Sequence, residues 1–405
     1  MKPRFIIDKL GAENRSPNVD TYLKKEHLDD ICSRVLGHKN YDVKWREKKI
    51  KGRLIYLETS DCIYYINLSQ NGHLRGRDYQ VQSIPTALGI YLSDQKKNNA
   101  SELKDRKKLM FYFYFMPQTG NNNTRYVNFF YRCMKTADIK ILNADFGLPG
   151  ETIEAFSTIK EIIKTRNESR EINSGNQSTY ITDEGNCYHI YGKTFGANQK
   201  ETTLLCIAIS ALTDKPVKLF QILDNDSTQI SQNDIDAIKT YVDMLPEKKS
   251  FEIMDDTLQF DDDSSDTITD RLRSPKFIYN LLSKYGGEKR CILCGCKIDS
   301  IIQAAHIYPV ASIRKRKDLD DDIKFSLAID KDNGIWLCEN HHKLFDKNII
   351  WFEEGKLCVS KSIDDEDVAF VKQITTIDEI EPHYINERML AFFDMRAGIP
   401  PRVVL

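Results

Sequence analysis

The spacing of apolar positions changes several times along the chain, and each change marks a different element. In "TYLKKEHLDDICSRVLG", Leu23, Leu28, Ile31, Val35 and Leu36 share one face at the three- to four-residue period of a helix. "RLIYLETSDCIYYINLS" predicts two short strands around a turn at Thr59–Asp61. Two aromatic-rich stretches, "LMFYFYFM" and "RYVNFFYRCM", have the composition of strands. "ETIEAFSTIKEIIKTRNES" returns to the helical period, with Ile153, Phe156, Ile159, Ile162 and Ile163 facing inward. "CYHIYGKTFGANQKETTLLCIAISAL" and "VKLFQIL" supply further buried material. "SQNDIDAIKTYVDML" predicts a helix capped by Ser231, and "INERMLAFFDMRAG" predicts another downstream. Helical and strand patterns mix without a repeat, a P-loop or a dinucleotide fingerprint, which predicts an α+β fold.

The pattern lapses over "DDTLQFDDDSSDTITD", an acidic stretch poor in apolar residues, and residues 255–270 are read as a linker. Residues 1–254 then form a large α+β region. A polar, Lys-rich segment near 95–108 divides it into two subdomains. Residues 271–360 form a second, smaller domain and 361–405 a helical extension.

With 405 residues, 29% charged and 41% hydrophobic, the composition is that of a globular protein with ample core. No apolar run reaches membrane-spanning length and "MKPRFIIDKLGAENR" lacks a signal-peptide core, so a cytoplasmic protein without membrane contact is expected. The net charge of −2 does not announce a nucleic-acid partner, although local patches can still bind phosphate. The ten cysteines cluster only towards the C-terminal third, which in such a chain points to metal more than to disulfides.

That third holds the candidate chemistry. Cys291 and Cys294 in "CILC" form one x2 pair, and Cys338 and His341 in "CENH" form a second at the same spacing. Two such pairs can close a tetrahedral structural Zn²⁺ site, with Cys296 as an alternative third thiolate. Histidine is scarce, eight in the chain, yet His342 directly follows His341. Successive helical residues diverge by about 100°, so the two cannot easily serve one site. His342 and Asp346 are four apart and share a helical face, where they can hold a catalytic Mg²⁺ or Mn²⁺. The bland alternative makes His342 a helix-surface residue and Asp346 a cap. Upstream, "AAHIYPV" carries His306 on a strand closed by Pro309, and "DNGIWLC" carries Asn333 in a turn.

Taken together, His306 in "AHIYP", Asn333 in "DNGIWLC" and His342 in "CENHHKLFD", flanked by the Cys291–Cys294 pair, resemble the HNH nuclease motif from Cys291 to Phe352. They are most similar to the zinc-stapled HNH domains of restriction-type endonucleases. The resemblance implies a small ββα-metal domain, a β-hairpin and a helix around one divalent ion. It also implies a general base at His306, an orienting role for Asn333, and metal ligation by His342 and Asp346. Many such domains carry a further metal ligand directly before the base, where this chain has Ala305. The four consecutive cations Arg314, Lys315, Arg316 and Lys317 are expected to meet a phosphate backbone.

The function implied is a metal-dependent endonuclease on double-stranded DNA, acting in restriction or phage defence as a homodimer, with target recognition in the N-terminal region. Arg75, Arg77, Lys104, Arg106, Lys107, Lys108 and Lys193 are candidate DNA contacts there. Two other readings stay open: a nuclease effector licensed by a signal, and a zinc-stapled DNA-binding module without catalysis.

Overall fold

The computed structural model describes residues 1–9, 23–47, 55–69, 88–94, 107–115, 121–142, 154–172, 179–193, 197–222, 230–246, 249–254 and 274–399. These residues fall into two compact units. The first comprises 1–166, 193–217 and 225–252; the second comprises 167–192, 218–224 and 253–405.

The first unit is built on a five-stranded sheet of order β2-β1-β3-β4-β5. Its strands are β1 (Arg4–Lys9), β2 (Asp42–Glu47), β3 (Ile55–Glu58), β4 (Cys62–Ser69) and β5 (Lys108–Phe115). Helix α1 (Lys25–Leu36) buries Leu28, Ile31 and Cys32 with Phe5, Ile7 and Leu57 of the sheet, the face its apolar period demands. The turn expected at Thr59–Asp61 joins β3 to β4, and the Thr59 hydroxyl accepts the Cys62 amide at 2.9 Å. "RYVNFFYRCM" is not a strand. It lies within helix α2 (Asn121–Thr136). There Phe129 and Phe130, then Cys133 and Met134, then Ala137 recur at the helical spacing, and all are buried. Periodicity overrides aromatic strand propensity at this point. Helix α3 (Ile159–Ile172) begins after Phe156; α4 (Ala197–Leu212) is followed by α5 (Gln232–Met244), whose N-terminus Ser231 caps by accepting from the Asp234 amide.

The second unit contains the candidate site. A four-stranded sheet of order β6-β7-β8-β9 is formed by Thr179–Asp183, Tyr188–Lys193, Val217–Ile222 and Phe251–Met254. Tyr180, Tyr191 and Ile222 from it join one core with the C-terminal elements. Helix α6 (Pro275–Lys284) starts at Ser274, whose hydroxyl accepts from the Lys276 amide, with Pro275 at the first turn where its missing N–H costs nothing. Then come β10 (Ile302–His306) and β11 (Gly334–Cys338), paired antiparallel with His306 opposite Gly334 and Ile302 opposite Cys338. Between them run α7 (Val310–Arg314), α8 (Asp321–Ile329) and a 3₁₀ turn at Lys331–Asn333. Helix α9 (Glu339–Asp346) leaves β11 directly, which completes a ββα unit.

A hairpin of β12 (Ile350–Glu353) and β13 (Lys356–Val359) follows; both turn residues, Glu354 and Gly355, have positive φ, as a two-residue turn of this hand requires. Helices α10 (Asp365–Ile374) and α11 (Glu387–Ala397) close the unit. They are no appendage: Val371, Met389, Phe392 and Phe393 belong to the same core as Trp336, Ile335 and Phe345 of the ββα unit. Alongside the linear division at 254 and 360, Tyr180 of β6 and Tyr191 of β7 as well as residues of α10 and α11 share a core with the ββα elements. The expected linker at 255–270 and most of the expected break near 95–108 lie outside the described residues.

Candidate active site

Cys291 and Cys294 lie on a tight knuckle. The Cys291 amide donates to the Cys296 carbonyl and the Gly295 amide donates to the Cys291 carbonyl, both at 2.9 Å. Gly295 turns the chain at φ +67°, a conformation that favours glycine. The second pair sits where β11 becomes α9. The Sγ atoms of Cys291, Cys294 and Cys338 and a ring nitrogen of His341 all lie within 4.8 Å of one another. Cys294 and Cys338 sulfurs are 3.9 Å apart, and His341 Nδ1 is 3.4 Å from Cys291 and 3.1 Å from Cys338. Sulfurs on a tetrahedral zinc with metal–sulfur bonds of about 2.3 Å stand about 3.8 Å apart, and nitrogen–sulfur edges are slightly shorter. The donor set fits zinc in type and spacing. Burial pushes the Cys291 and Cys338 thiols up and the His341 imidazole down, so a cation is what would hold thiolates beside a neutral imidazole. His341 Nε2 is 3.1 Å from the Thr375 hydroxyl, which fixes the ring from behind. Cys296 contributes its carbonyl to the knuckle, and its sulfur is outside the cluster.

His342 points elsewhere. Its Nδ1 is 2.6 Å from Gln303 Oε1 on β10, and its Nε2 is 3.5 Å from Asp346 Oδ2 one turn along α9. An amide oxygen only accepts, which places a proton on Nδ1; the carboxylate beside Nε2 also only accepts, so a proton or a cation belongs between Nε2 and Asp346. Asp346 is half-exposed, open to water and to a substrate oxygen. Two oxygen- and nitrogen-type donors at this separation fit a hard or borderline divalent ion that completes its shell with waters. Ala305 is fully buried opposite Ile335 and supplies no ligand.

His306 ends β10, three residues beyond Gln303 and about 10 Å along the strand. Its Nε2 is 2.9 Å from the Ala328 carbonyl, so that nitrogen carries the proton and Nδ1 holds the lone pair. The Phe277 ring stacks on the imidazole at 3.8 Å and 14°. Gly334, opposite His306, makes this possible: a Cβ there would come within 2.7 Å of Phe277. Its φ of −142° is extended, so the glycine answers to this close approach and not to a turn.

Asn333 is wholly buried and touches neither histidine in the hydrogen bonds it makes. Its Oδ1 accepts from the Tyr308 amide at 2.7 Å, and its Nδ2 donates to the Tyr308 carbonyl at 3.2 Å and the Leu327 carbonyl at 3.0 Å. It staples the segment after His306 to the helix end whose Ala328 carbonyl orients His306.

Of the cationic run, Arg314, Lys315 and Lys317 are exposed at the end of α7 and beyond it. Arg316 is already engaged, with two nitrogens on Asp318 at 2.7 and 2.5 Å. In the N-terminal unit Lys107 pairs with Glu58 at 2.8 Å and Lys108 opens β5; Lys193 is the last residue of β7. Arg75, Arg77, Lys104 and Arg106 lie outside the described residues. Sequence reasoning missed Phe277, Gln303, Thr375 and Arg396. Only Gln303 leaves a signal, as the one polar residue inside the apolar run "IIQAAHI" before the histidine.

Residues 291–353 match the family of HNH endonucleases. The C-terminal unit thus contains an HNH endonuclease domain, its Cys3His cluster fits the zinc-binding form, and metal-dependent nuclease chemistry is what the family implies. No curated protein matches the chain. Among the described residues no helix is long and apolar enough to cross a membrane.

Proposed function

We propose that this chain is a restriction or phage-defence endonuclease that hydrolyses double-stranded DNA at the edge of the ββα unit between His306 and the His342–Asp346 pair. One observation carries the proposal. Two histidines held against β10 each have one ring nitrogen engaged by a fixed oxygen, Nε2 of His306 by the Ala328 carbonyl and Nδ1 of His342 by Gln303 Oε1, which turns opposite nitrogens to the site. Such opposed settings suit a general base and a metal ligand.

In this mechanism His306 Nδ1 takes the proton of a water as its oxygen attacks phosphorus, and the bond to the 3′-oxygen breaks. Phe277 and the Ala328 carbonyl hold the base ring; Asn333 holds the segment that follows it. His342 and Asp346 would hold Mg²⁺ or Mn²⁺, which when bound supplies charge stabilisation at the phosphate and the departing oxygen. Arg314, Lys315 and Lys317 bind the flanking phosphates. The N-terminal unit selects the target. Two chains act together, since one site breaks one bond.

Incubation of the full chain with supercoiled plasmid and Mg²⁺ tests this directly. Discrete fragments are expected. A smear appearing only with an added activator would favour a signal-licensed effector, and intact plasmid at all Mg²⁺ and Mn²⁺ concentrations would reduce the domain to a binding module.

Gln303 gives a second test. Gln303→Leu removes the acceptor that sets the His342 tautomer, and Mn²⁺ affinity is expected to fall about 10- to 100-fold, the usual cost of losing such a partner, with zinc content unchanged. Calorimetric titration reads this, and an unaltered Mn²⁺ affinity would leave Gln303 with a packing role only.

A further inference from the structure

The family match stops at residue 353, yet helix α11, more than thirty residues later, reaches three parts of the site. At its start Asn386 Nδ2 donates to Asp332 Oδ1 at 3.1 Å and Arg388 Nε to Asp330 Oδ2 at 2.5 Å. Both acids flank or sit in the turn that delivers Asn333, and Asp332 is also held by the buried Lys284 ammonium at 2.9 Å. Two turns on, about 12 Å along the helix, is Arg396. Its guanidinium donates to the Ile307 carbonyl at 2.9 Å, the Phe345 carbonyl at 2.5 Å and Asn348 Oδ1 at 2.8 Å. It also lies over the Phe345 ring at 3.9 Å. Ile307 directly follows His306, and Phe345 directly precedes Asp346.

We infer that Arg396 is a positioning residue, a three-acceptor clamp that fixes the distance between the base on β10 and the metal-ligand end of α9. This rests on the nuclease reading above. The planar, forked guanidinium, with five donors in fixed directions, suits simultaneous bonds to acceptors on separate backbone segments. Hydrogen bonds from Asn386 and Arg388 to the Asn333 turn keep the same helix in register with the other side of the base. The HNH residues are therefore not self-sufficient: the helix beyond them sets the gap into which a phosphate and its ion must fit.

A lost clamp lets the His306 segment and the Asp346 segment drift independently. A displacement of about 1 Å at a reacting centre commonly costs about 100-fold in rate. Arg396→Met keeps the stem over Phe345 but removes every donor; Arg396→Lys keeps charge and one donor group. In the full chain, Arg396→Met is expected to lower kcat about 100-fold at saturating Mg²⁺ with KM for DNA within twofold of wild type and one zinc retained. Arg396→Lys is expected to recover part of the loss. If Arg396→Met fails to fold, the Lys variant alone decides: a lowered kcat at native melting temperature supports the clamp, and wild-type kcat overturns it. Mn²⁺ affinity, measured by electron paramagnetic resonance, reads the ligand end without any cleavage. Should the wild type bind Mn²⁺ but never cut DNA, the nuclease reading has failed, and weaker Mn²⁺ binding by Arg396→Met still supports the clamp. Unchanged Mn²⁺ affinity together with unchanged kcat, or a kcat loss that merely follows the unfolded fraction, overturns it.

Discussion

His306→Ala is expected to cut the rate of Mg²⁺-dependent cleavage by about 10²- to 10⁴-fold, the range typical of losing a general base. The His306 ring is half-buried at a strand end, and its contact to the Ala328 carbonyl lies beside a helix terminus where water can substitute. Zinc content, melting temperature and DNA affinity should therefore stay near wild type. His306→Gln sharpens the test, because glutamine can still donate to the Ala328 carbonyl yet offers no basic nitrogen. If geometry alone mattered, Gln would rescue; if the basic Nδ1 matters, Gln is as inactive as Ala. Single-turnover cleavage of a labelled duplex measures both, and near-normal cutting by either variant removes His306 from the base role.

The Cys3His cluster and the proximity of His342 to Asp346 were legible in sequence because their constraints are local. A Cys-x2-Cys knuckle and a Cys-x2-His pair must keep their spacing to reach one ion, and His342 with Asp346 must keep a four-residue step to share a face. What holds them in place was invisible because it is remote in sequence. Phe277 stacks on His306 from 29 positions away, Thr375 backs His341 across 34, and Arg396 spans 89 to Ile307. No spacing rule binds such pairs; only folding brings them together. The glycine of "DNG" is a related case. It suggests a turn, but its lack of a Cβ serves the ring packed over its cross-strand neighbour. Similarly, "RYVNFFYRCM" carries strand-like composition and a helical period at once, and the burial of Phe130, Cys133 and Met134 follows the period.

The neighbours His341 and His342 are expected to fail in different ways. His341 is 1% exposed, with Nδ1 facing two cysteine sulfurs and Nε2 against Thr375. His341→Ala removes one of four zinc donors, and structural zinc contributes on the order of 10 kcal/mol to small domains of this kind, so most of the stability of the knuckle and of α9 goes with it. Loss of the bound zinc and a melting transition lowered by many degrees are expected, as for Cys291→Ser and Cys338→Ser. Chelation of zinc from the wild type should reproduce that transition. His342 faces Gln303 and Asp346 and shares no donor with the cluster. His342→Ala should keep zinc and the melting transition but lose Mn²⁺ binding and Mg²⁺-dependent cleavage, and Asp346→Ala should match it, with part of its cleavage restored by raised Mn²⁺. The contrast depends on a single step of about 100° around α9, which sends one imidazole to the thiolates and the next to the carboxylate. Zinc analysis, thermal melting and cleavage on the three histidine and aspartate variants measure it, and one shared defect across His341→Ala and His342→Ala would refute the division of labour between them.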